Sequence, residues 1–155
     1  MTAKGGAAME TLRPIIATKG TDIRKAKPSD TALAAVDEMC RHHVGALLVM
    51  EDDDLVVGIL SERDMLTRVL LERKDPADTK VADVMTRNVV CVDLNTSPNE
   101  AMRIMTERRC RHLPVICDGT VIGLVSIGDL VRWVSQSQEY EIRVLHDYVE
   151  GRYPG

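Results

Sequence analysis

Two copies of one sequence unit make up most of the chain, and this internal repeat restricts the fold more than any other feature. Residues 31–50 align with residues 97–116 at an offset of 66, which matches Met39 with Met105. After the next turn the offset becomes 65, because the turn in the first copy is one residue longer. A chain built in this way is expected to fold as two similar units.

The second copy indicates how the unit begins. A β-branched run at 89–92 predicts a short strand. Ser97, Pro98 and Glu100 then form the pattern of a helix start, with a capping serine, a proline in the first turn and a glutamate that completes a capping box. The helix that follows is predicted to bury one apolar face, formed by Ala101, Met102, Ile104 and Met105.

Two more strands follow this helix in each copy. In the second copy they are predicted at 113–116 and 121–125, joined by a tight turn at Asp118 and Gly119, two residue types that accept positive φ. The first copy repeats the pattern with one helix and two strands, at 31–42, 47–50 and 56–60.

Each unit therefore has the order β-α-β-β-α, with its last helix starting near Ser61 or Ser126. A sheet this short has one uncovered face, and a unit of about 60 residues has too little core to be stable alone. We therefore expect a mixed α/β (α+β) fold in which the two units pack face to face with pseudo-two-fold symmetry. The expected segments are an N-terminal extension, a first repeat, a linker, a second repeat and a C-terminal helix with its tail, at 1–18, 19–72, 73–80, 81–135 and 136–155. The final helix is predicted over 130–149.

Composition excludes several functions. A net charge of −4 and an aromatic content of 3% argue against a nucleic-acid partner, which needs phosphate attraction or stacking platforms. No stretch approaches the roughly 20 apolar residues that span a bilayer, and residues 1–10 lack an apolar signal segment, so we expect a cytoplasmic protein with no membrane partner. We expect buried or half-buried thiols and no metal knuckle from Cys40, Cys91, Cys110 and Cys117.

The pattern Gly-x-x-Ser-x-x-Asp occurs once in each copy, where a strand passes into a helix. It comprises Gly58, Ser61 and Asp64 in the first copy and Gly123, Ser126 and Asp129 in the second. A helix N-terminus offers free N–H groups and the positive end of the helix dipole to a phosphate. The serine hydroxyl can add a hydrogen bond to that phosphate, and the carboxylate can accept from both hydroxyls of a ribose. The glycine leaves room for a flat base beside the backbone.

Ser-x-x-Asp is also a capping-box arrangement, which needs no ligand. A single copy would favour that interpretation, because such matches are common by chance. The second copy, in register with the first and again preceded by glycine, favours a binding site instead.

The two motifs, together with the segment Arg111-His112-Leu113-Pro114-Val115, resemble those of cystathionine-β-synthase (CBS) domains. The likeness covers residues 19–133, and the tail at 148–154 is similar to one in small stand-alone CBS-pair proteins. One departure is Leu48, where the second copy has Pro114, and we attach little weight to it. The resemblance implies a Bateman module that holds an adenosine phosphate in a cleft between the repeats. It places ribose on Asp64 and Asp129, phosphate on Ser61 and Ser126, and the base against strand backbone at 23–25 and 89–91.

Basic residues lie near the motifs although the protein is acidic overall. Arg63, Arg111 and His112 adjoin motif positions, and we expect them to contact phosphate because guanidinium groups match phosphate geometry. Scattered cations usually form a solvated face, which is the interpretation we keep for Arg109. The residues expected to form the nucleotide sites are Lys19, Ile23, Arg24, Lys25, Gly45, Ala46, Gly58, Ser61, Arg63, Asp64, Arg68, Val89, Val90, Cys91, Arg111, His112, Leu113, Pro114, Gly123, Ser126 and Asp129.

Three functions remain open. The doubled motif favours a regulatory sensor that binds AMP, ADP, ATP or NAD and signals to another protein. A nucleotide-processing enzyme would need a nucleophile or base paired with an orienting group, and the sequence shows no such constellation and no metal site. A purely structural dimer, with the motifs acting only as helix caps, is the third.

Assembly and ligand preference can also be predicted. The helices after Ser61 and Ser126 carry apolar residues expected to form a homodimer interface, namely Met65, Leu66, Val69, Leu70, Leu130, Val131 and Val134. The first motif has Arg63 inside it and Arg68 one turn later, whereas the second has Ile127 and Gly128 at its inner positions. We therefore expect the first site to prefer a polyphosphate or a dinucleotide such as NAD, and the second to accept AMP.

Overall fold

The computed structural model describes residues 10–20, 23–52 and 55–136. In chain order the elements are α1 (Arg13–Lys19), β1 (Lys25–Ala26), α2 (Ala32–His42), β2 (Ala46–Met50), β3 (Val56–Ser61), α3 (Glu62–Met65), α4 (Val81–Val84), β4 (Val92–Asp93), α5 (Pro98–Arg108), β5 (His112–Cys117), β6 (Thr120–Ser126) and a helix α6 at 127–136. Helix α3 continues directly into a π-helical turn, Leu66–Leu70. The predicted tail at 148–154 and the part of the predicted last helix beyond residue 136 lie outside the described residues.

The two repeats form two three-stranded sheets with the same topology, β1-β2-β3 and β4-β5-β6. In each sheet the first pair of strands is parallel and the second is antiparallel. A register irregularity follows Val49 in one sheet and the equivalent Val115 in the other. Helices α2 and α5 both end at a left-handed residue, His43 with φ 54° and Arg109 with φ 55°. The predicted mixed α/β fold of two β-α-β-β-α units is confirmed.

Local signals placed the helix starts and the tight turn correctly. Ser97 Oγ accepts a hydrogen bond from the Glu100 N–H at 3.0 Å, so the predicted cap is confirmed. The predicted capping box is wrong in its second half, because the Glu100 carboxylate pairs with Arg103. The turn between β5 and β6 has positive φ at Asp118 and Gly119, 53° and 79°, as the sequence predicted.

The predicted strand at 89–92 is wrong in its start, because β4 comprises only Val92–Asp93. In the first repeat the Leu48 N–H donates to the Arg24 carbonyl at 3.2 Å, which extends the contact between neighbouring segments. The equivalent residue in the second repeat is Pro114, which has no N–H to donate. The parallel pairing therefore begins one aligned position later in the second repeat, at Val92 opposite Val115, whereas in the first repeat it begins at Lys25 opposite Leu48. Both strands are two residues long.

Each repeat has its own hydrophobic core, and each core is completed by a helix from the segment that precedes the other repeat. Val81 and Val84 of α4 are fully buried in the first core, beside Leu47 and Leu60. Ile15 and Ile16 of α1, together with Leu12 before it, are buried in the second core. The segment predicted to be a linker, 73–80, also packs on the first repeat, since the Ala32 N–H donates to the Thr79 carbonyl at 2.7 Å.

Two expectations about exposure need correction. Met65, Val69 and Leu130 lie in the cores and not on an assembly surface. Leu66, Leu70 and Val131 are 58%, 59% and 51% exposed and remain accessible for an assembly surface. The Cys40 thiol, expected to be buried or half-buried, is exposed. Within the described part of the chain, no helix has the length and apolar character needed to cross a membrane.

Candidate functional site

Both Gly-x-x-Ser-x-x-Asp motifs form complete capping boxes. Ser61 Oγ accepts from the Asp64 N–H at 3.3 Å, and Asp64 Oδ2 accepts from the Ser61 N–H at 3.0 Å. The second copy matches, with Ser126 Oγ accepting from the Asp129 N–H at 3.1 Å and Asp129 Oδ2 from the Ser126 N–H at 2.9 Å. The local geometry of the two motifs is therefore the same, and any difference between them comes from their surroundings.

The Asp64 carboxylate is buried against a segment fixed to β3. Its Oδ1 accepts a hydrogen bond from the Thr86 hydroxyl at 3.1 Å. Thr86 is held by two backbone hydrogen bonds to Ile59, each 2.9 Å long. The backbone of this neutral partner is fixed to the sheet by an antiparallel bridge.

The two arginines predicted for the first site have different environments. Arg68 donates from Nη1 to the carbonyl oxygens of Val84 and Met85, at 3.3 and 2.9 Å, and its Nε lies 3.9 Å from Asp64 Oδ1. It thus ties the C-terminal end of α4 to the motif. Arg63 is exposed to solvent.

The Asp129 carboxylate is half-buried among cationic side chains. Lys19 Nζ lies 2.6 Å from Asp129 Oδ2 and also donates to the Leu124 carbonyl at 2.7 Å. Arg132 Nη1 lies 3.6 Å from Asp129 Oδ1. Burial alone would raise the pKa of Asp129, but the hydrogen bonds from Lys19 and Ser126 more than offset it and hold the pKa below its ordinary value. The carboxylate is therefore ionised at neutral pH.

His112 connects this cluster to the first repeat. Burial lowers the pKa of its imidazole, and the nearby charge of Lys19 lowers it further, so the ring is neutral at physiological pH. A Cβ added at Gly45 would lie 3.4 Å from His112 Nε2 and 2.8 Å from Glu62 Oε1. Gly45 is thus the point at which the start of β2 meets the second repeat, and a larger residue there would need these side chains to shift.

The motif glycines have a packing role. A Cβ at Gly58 would lie 2.6 Å from Met85 Sδ and 2.9 Å from the Thr86 carbonyl oxygen. A Cβ at Gly123 would lie 2.8 Å from Ile16 Cδ1. Each glycine therefore allows the segment preceding the other repeat to approach the strand closely. That they also leave room for a base stays a prediction.

The predicted site residues fall into three groups by exposure. Six are buried, namely Ala46, Gly58, Asp64, Leu113, Pro114 and Gly123. Ten are half-buried, namely Ile23, Arg24, Gly45, Ser61, Val89, Val90, Cys91, His112, Ser126 and Asp129. Five are exposed, namely Lys19, Lys25, Arg63, Arg68 and Arg111. The Ala46 and Leu113 side chains belong to the interior and leave only their backbone for a ligand.

The structure brings these residues together mainly in the second repeat. Lys19, Ser126 and Asp129 are in direct contact, and the charges of Lys19, Asp129 and Arg111 all act on His112. Ser61, Asp64 and Arg68 form a second group around Thr86. Burial raises the pKa of the Cys91 thiol, which keeps it protonated beside β4.

The sequence did not predict the residues that contact the aspartate and glycine of each motif. Thr86 and Met85 carry no motif of their own, and neither does Arg132. Extending the 66-residue offset towards the N-terminus would have aligned Lys19 with Met85 and so marked both preceding segments as equivalent. A cavity of about 150 Å³ adjoins Asp129 between α1 and α6, and Lys19, Arg132 and Trp133 contribute to its lining. No cluster suited to a metal ion occurs among the residues that the structure describes.

Comparison with known proteins gives consistent matches. The family model described as CBS domain matches residues 15–71 and 81–136. The "CBS domain-containing protein CBSX3, mitochondrial" of Arabidopsis thaliana is 40% identical over 128 residues, which are 80% of this chain. The match spans 62% of that relative's own length, less than two thirds of it.

Solved structures show the same fold. A putative signal-transduction protein with CBS domains from Burkholderia ambifaria is 39% identical, with a TM-score of 0.79 over 83% of this chain and 96% of that one. The CBS domain pair of protein MJ0100, in complex with 5'-methylthioadenosine and S-adenosyl-L-methionine, has a TM-score of 0.70 at 20% identity, over 80% of this chain and 98% of that one.

Proposed function

The chain belongs to the CBS-domain family, and from this premise we propose that its repeat pair is an adenine-nucleotide sensor that signals to a partner protein and catalyses no reaction. The observation that carries the proposal is the setting of Asp129. A half-buried carboxylate at the start of α6 lies beside Lys19 and Arg132, with a cavity next to it. A carboxylate for ribose and cations for phosphate are the two groups that a nucleoside phosphate requires.

The proposed ligands share an adenosine group. The neighbour from which this class is taken binds S-adenosyl-L-methionine and 5'-methylthioadenosine, which both contain one. For this chain we propose AMP at the Ser126/Asp129 site and a polyphosphate or NAD at the Ser61/Asp64 site, because the first motif carries Arg63 within it. The proposed place of action is the cytoplasm, where these nucleotides report energy and redox state.

Replacing Asp129 with alanine tests the function. Asp129→Ala is expected to weaken AMP binding by about 1.5–3 kcal/mol, the range for hydrogen bonds that involve a charged group. Isothermal titration of wild type and variant with AMP, ATP and NAD gives the affinities. Ser97→Ala is the control, because it removes a capping hydrogen bond from α5, at about 1 kcal/mol of stability, and leaves the motifs intact.

A structural role is the second candidate, and the two complete capping boxes favour it. Under that interpretation Asp129→Ala lowers stability as Ser97→Ala does, and no adenine nucleotide binds the wild-type protein. Product analysis after prolonged incubation with ATP or NAD tests the third class, an enzyme, and unchanged nucleotide is the result expected here.

We further propose a homodimer. Leu66, Leu70 and Leu71 are 58%, 59% and 77% exposed along one turn after α3, which is a large apolar area for a surface to leave in water. Light scattering at micromolar concentration is expected to give twice the mass of one chain, and Leu70→Asp is expected to lower it. A wild-type monomer would contradict the proposal.

A further inference from the structure

We infer that Lys19 makes the Asp129 site select phosphorylated over unphosphorylated adenosine ligands. The inference rests on the proposed function and deepens it, because it names the residue that sets the ligand class at one of the two sites. Lys19 is the last residue of α1, and it lies outside the motif whose aspartate it contacts.

Lys19 occupies an oxygen that a ribose would use. Asp129 Oδ2 already accepts from the Ser126 N–H and from Lys19 Nζ, at 2.9 and 2.6 Å. A ribose diol that binds Asp129 through both oxygens must displace the Lys19 ammonium or share the carboxylate with it. The cost of displacement depends on what the ammonium finds in place of the carboxylate.

A phosphate supplies that replacement, and a neutral nucleoside does not. An ammonium group has three N–H donors, and Lys19 uses two of them, on Asp129 and on the Leu124 carbonyl, among the described residues. The cavity beside the pair is lined by two cations, Lys19 and Arg132, and by one carboxylate, Asp129. This excess of positive charge favours an anionic group next to the ribose position.

The first repeat lacks this device. The hydroxyl that donates to Asp64 Oδ1 at 3.1 Å is the neutral group of Thr86. The Arg68 guanidinium, whose Nε lies 3.9 Å from the same oxygen, donates its hydrogen bonds to two backbone carbonyls. A ribose that binds Asp64 therefore has no hydrogen-bonded ammonium to displace, and a phosphate is not needed to replace the carboxylate as its partner. The selectivity belongs to the second site and is set from α1.

The test compares AMP with adenosine in wild type and in Lys19→Met. Wild type is expected to bind AMP more tightly than adenosine, and Lys19→Met is expected to reduce that ratio by about tenfold or more, while adenosine binding is retained or strengthened. Arg13→Met is the matched control, since it removes another α1 cation, one that bonds Asn95 and not the motif.

Three results would overturn the inference. Equal weakening of AMP and adenosine in Lys19→Met would mean that Lys19 only holds α1 in place. An equal loss of the ratio in Arg13→Met would assign the effect to general charge. Wild type that binds neither compound would overturn the proposed function together with the inference, whereas an unchanged ratio with normal AMP binding would overturn the inference alone.

Discussion

Asp64 and Asp129 occupy equivalent positions and make the same two capping hydrogen bonds, yet their remaining partners differ. Asp64 accepts a hydrogen bond from the hydroxyl of Thr86, whose backbone makes two hydrogen bonds to β3. Asp129 pairs with the ammonium of Lys19, which lies at the end of a flexible four-carbon side chain that is 39% exposed. The difference lies in the segments that precede the repeats, so two copies of one motif need not make two equal sites.

The largest effect that would test this comparison is expected from the motif glycines. Gly58→Ala is expected to destabilise the fold by about 1–3 kcal/mol, because the new methyl group meets the Thr86 backbone oxygen, which cannot rotate away. Gly123→Ala meets only the end of the Ile16 side chain and is expected to cost less than about 1 kcal/mol. Urea denaturation of both variants measures the difference. Equal losses of unfolding free energy would show that the segments beside Gly58 and Gly123 adjust equally to the added methyl group.

The next largest effect on the free energy of unfolding is expected from removing the group that contacts each motif aspartate. Thr86→Val leaves the buried Asp64 carboxylate short of one donor and is expected to cost about 1–2 kcal/mol of unfolding free energy. Lys19→Met removes a partly exposed ion pair and is expected to cost under about 1 kcal/mol. Thr86→Ser retains the hydroxyl and serves as the control in the same denaturation experiment. A larger loss in Lys19→Met would reverse the comparison.

A smaller effect is expected on ligand preference. Arg63→Ala is expected to weaken ATP or NAD binding at the first site by about 1 kcal/mol or less, roughly fivefold, because an exposed guanidinium is screened by water. AMP binding at the second site is expected to stay unchanged. Titrations of Arg63→Ala with AMP, ATP and NAD measure both affinities. Unchanged ATP and NAD binding, or two identical sites in wild type, would contradict the assignment.

The smallest effect is expected from pH. The pKa of His112 lies below its ordinary value of 6.5 in the folded protein, so the unfolded chain binds the proton more tightly. The stability due to neutral His112 is therefore complete above pH 6.5 and falls as the pH drops from 6.5 towards the lowered folded pKa. The repeat offset aligns Ala46 with His112, so the first repeat has no group that titrates there. Urea midpoints between about pH 5 and pH 7.5 should vary less in His112→Asn than in wild type.

Much of each repeat could be predicted because the signals are local. Thr31 and Ser97 cap their helices, and Asp118 with Gly119 makes the tight turn, from interactions within a few residues of each position. The partners of Asp64 and Asp129 could not be found in that way. Thr86 and Lys19 come from 22 and 110 residues away along the chain, and only tertiary packing brings them to the motifs.

The strand at 89–92 failed for a related reason. A β-branched run predicts a strand by its own composition. Whether it joins a ladder depends on the neighbouring strand, and there Pro114 offers no donor where Leu48 does. This mismatch moves the start of the parallel pairing by one aligned position and leaves a strand of two residues in both repeats. The same mismatch gives the backbone at 89–91 a different setting from that at 23–25, both of which were predicted to hold a base.

The exchanged packing of α1 and α4 has a consequence for how the chain acquires its structure. The Leu12 N–H donates to the Leu94 carbonyl, and Ile16 packs beside Gly123, so α1 reaches its place only after most of the polypeptide has been synthesised. Contacts of such long sequence separation slow folding. During translation the first repeat can fold around α4 before β6, against which α1 packs, has been synthesised. Each core contains a helix from the segment that precedes the other repeat, so unfolding one core releases the chain that leads into the other repeat. This link favours one cooperative unfolding transition for the whole pair.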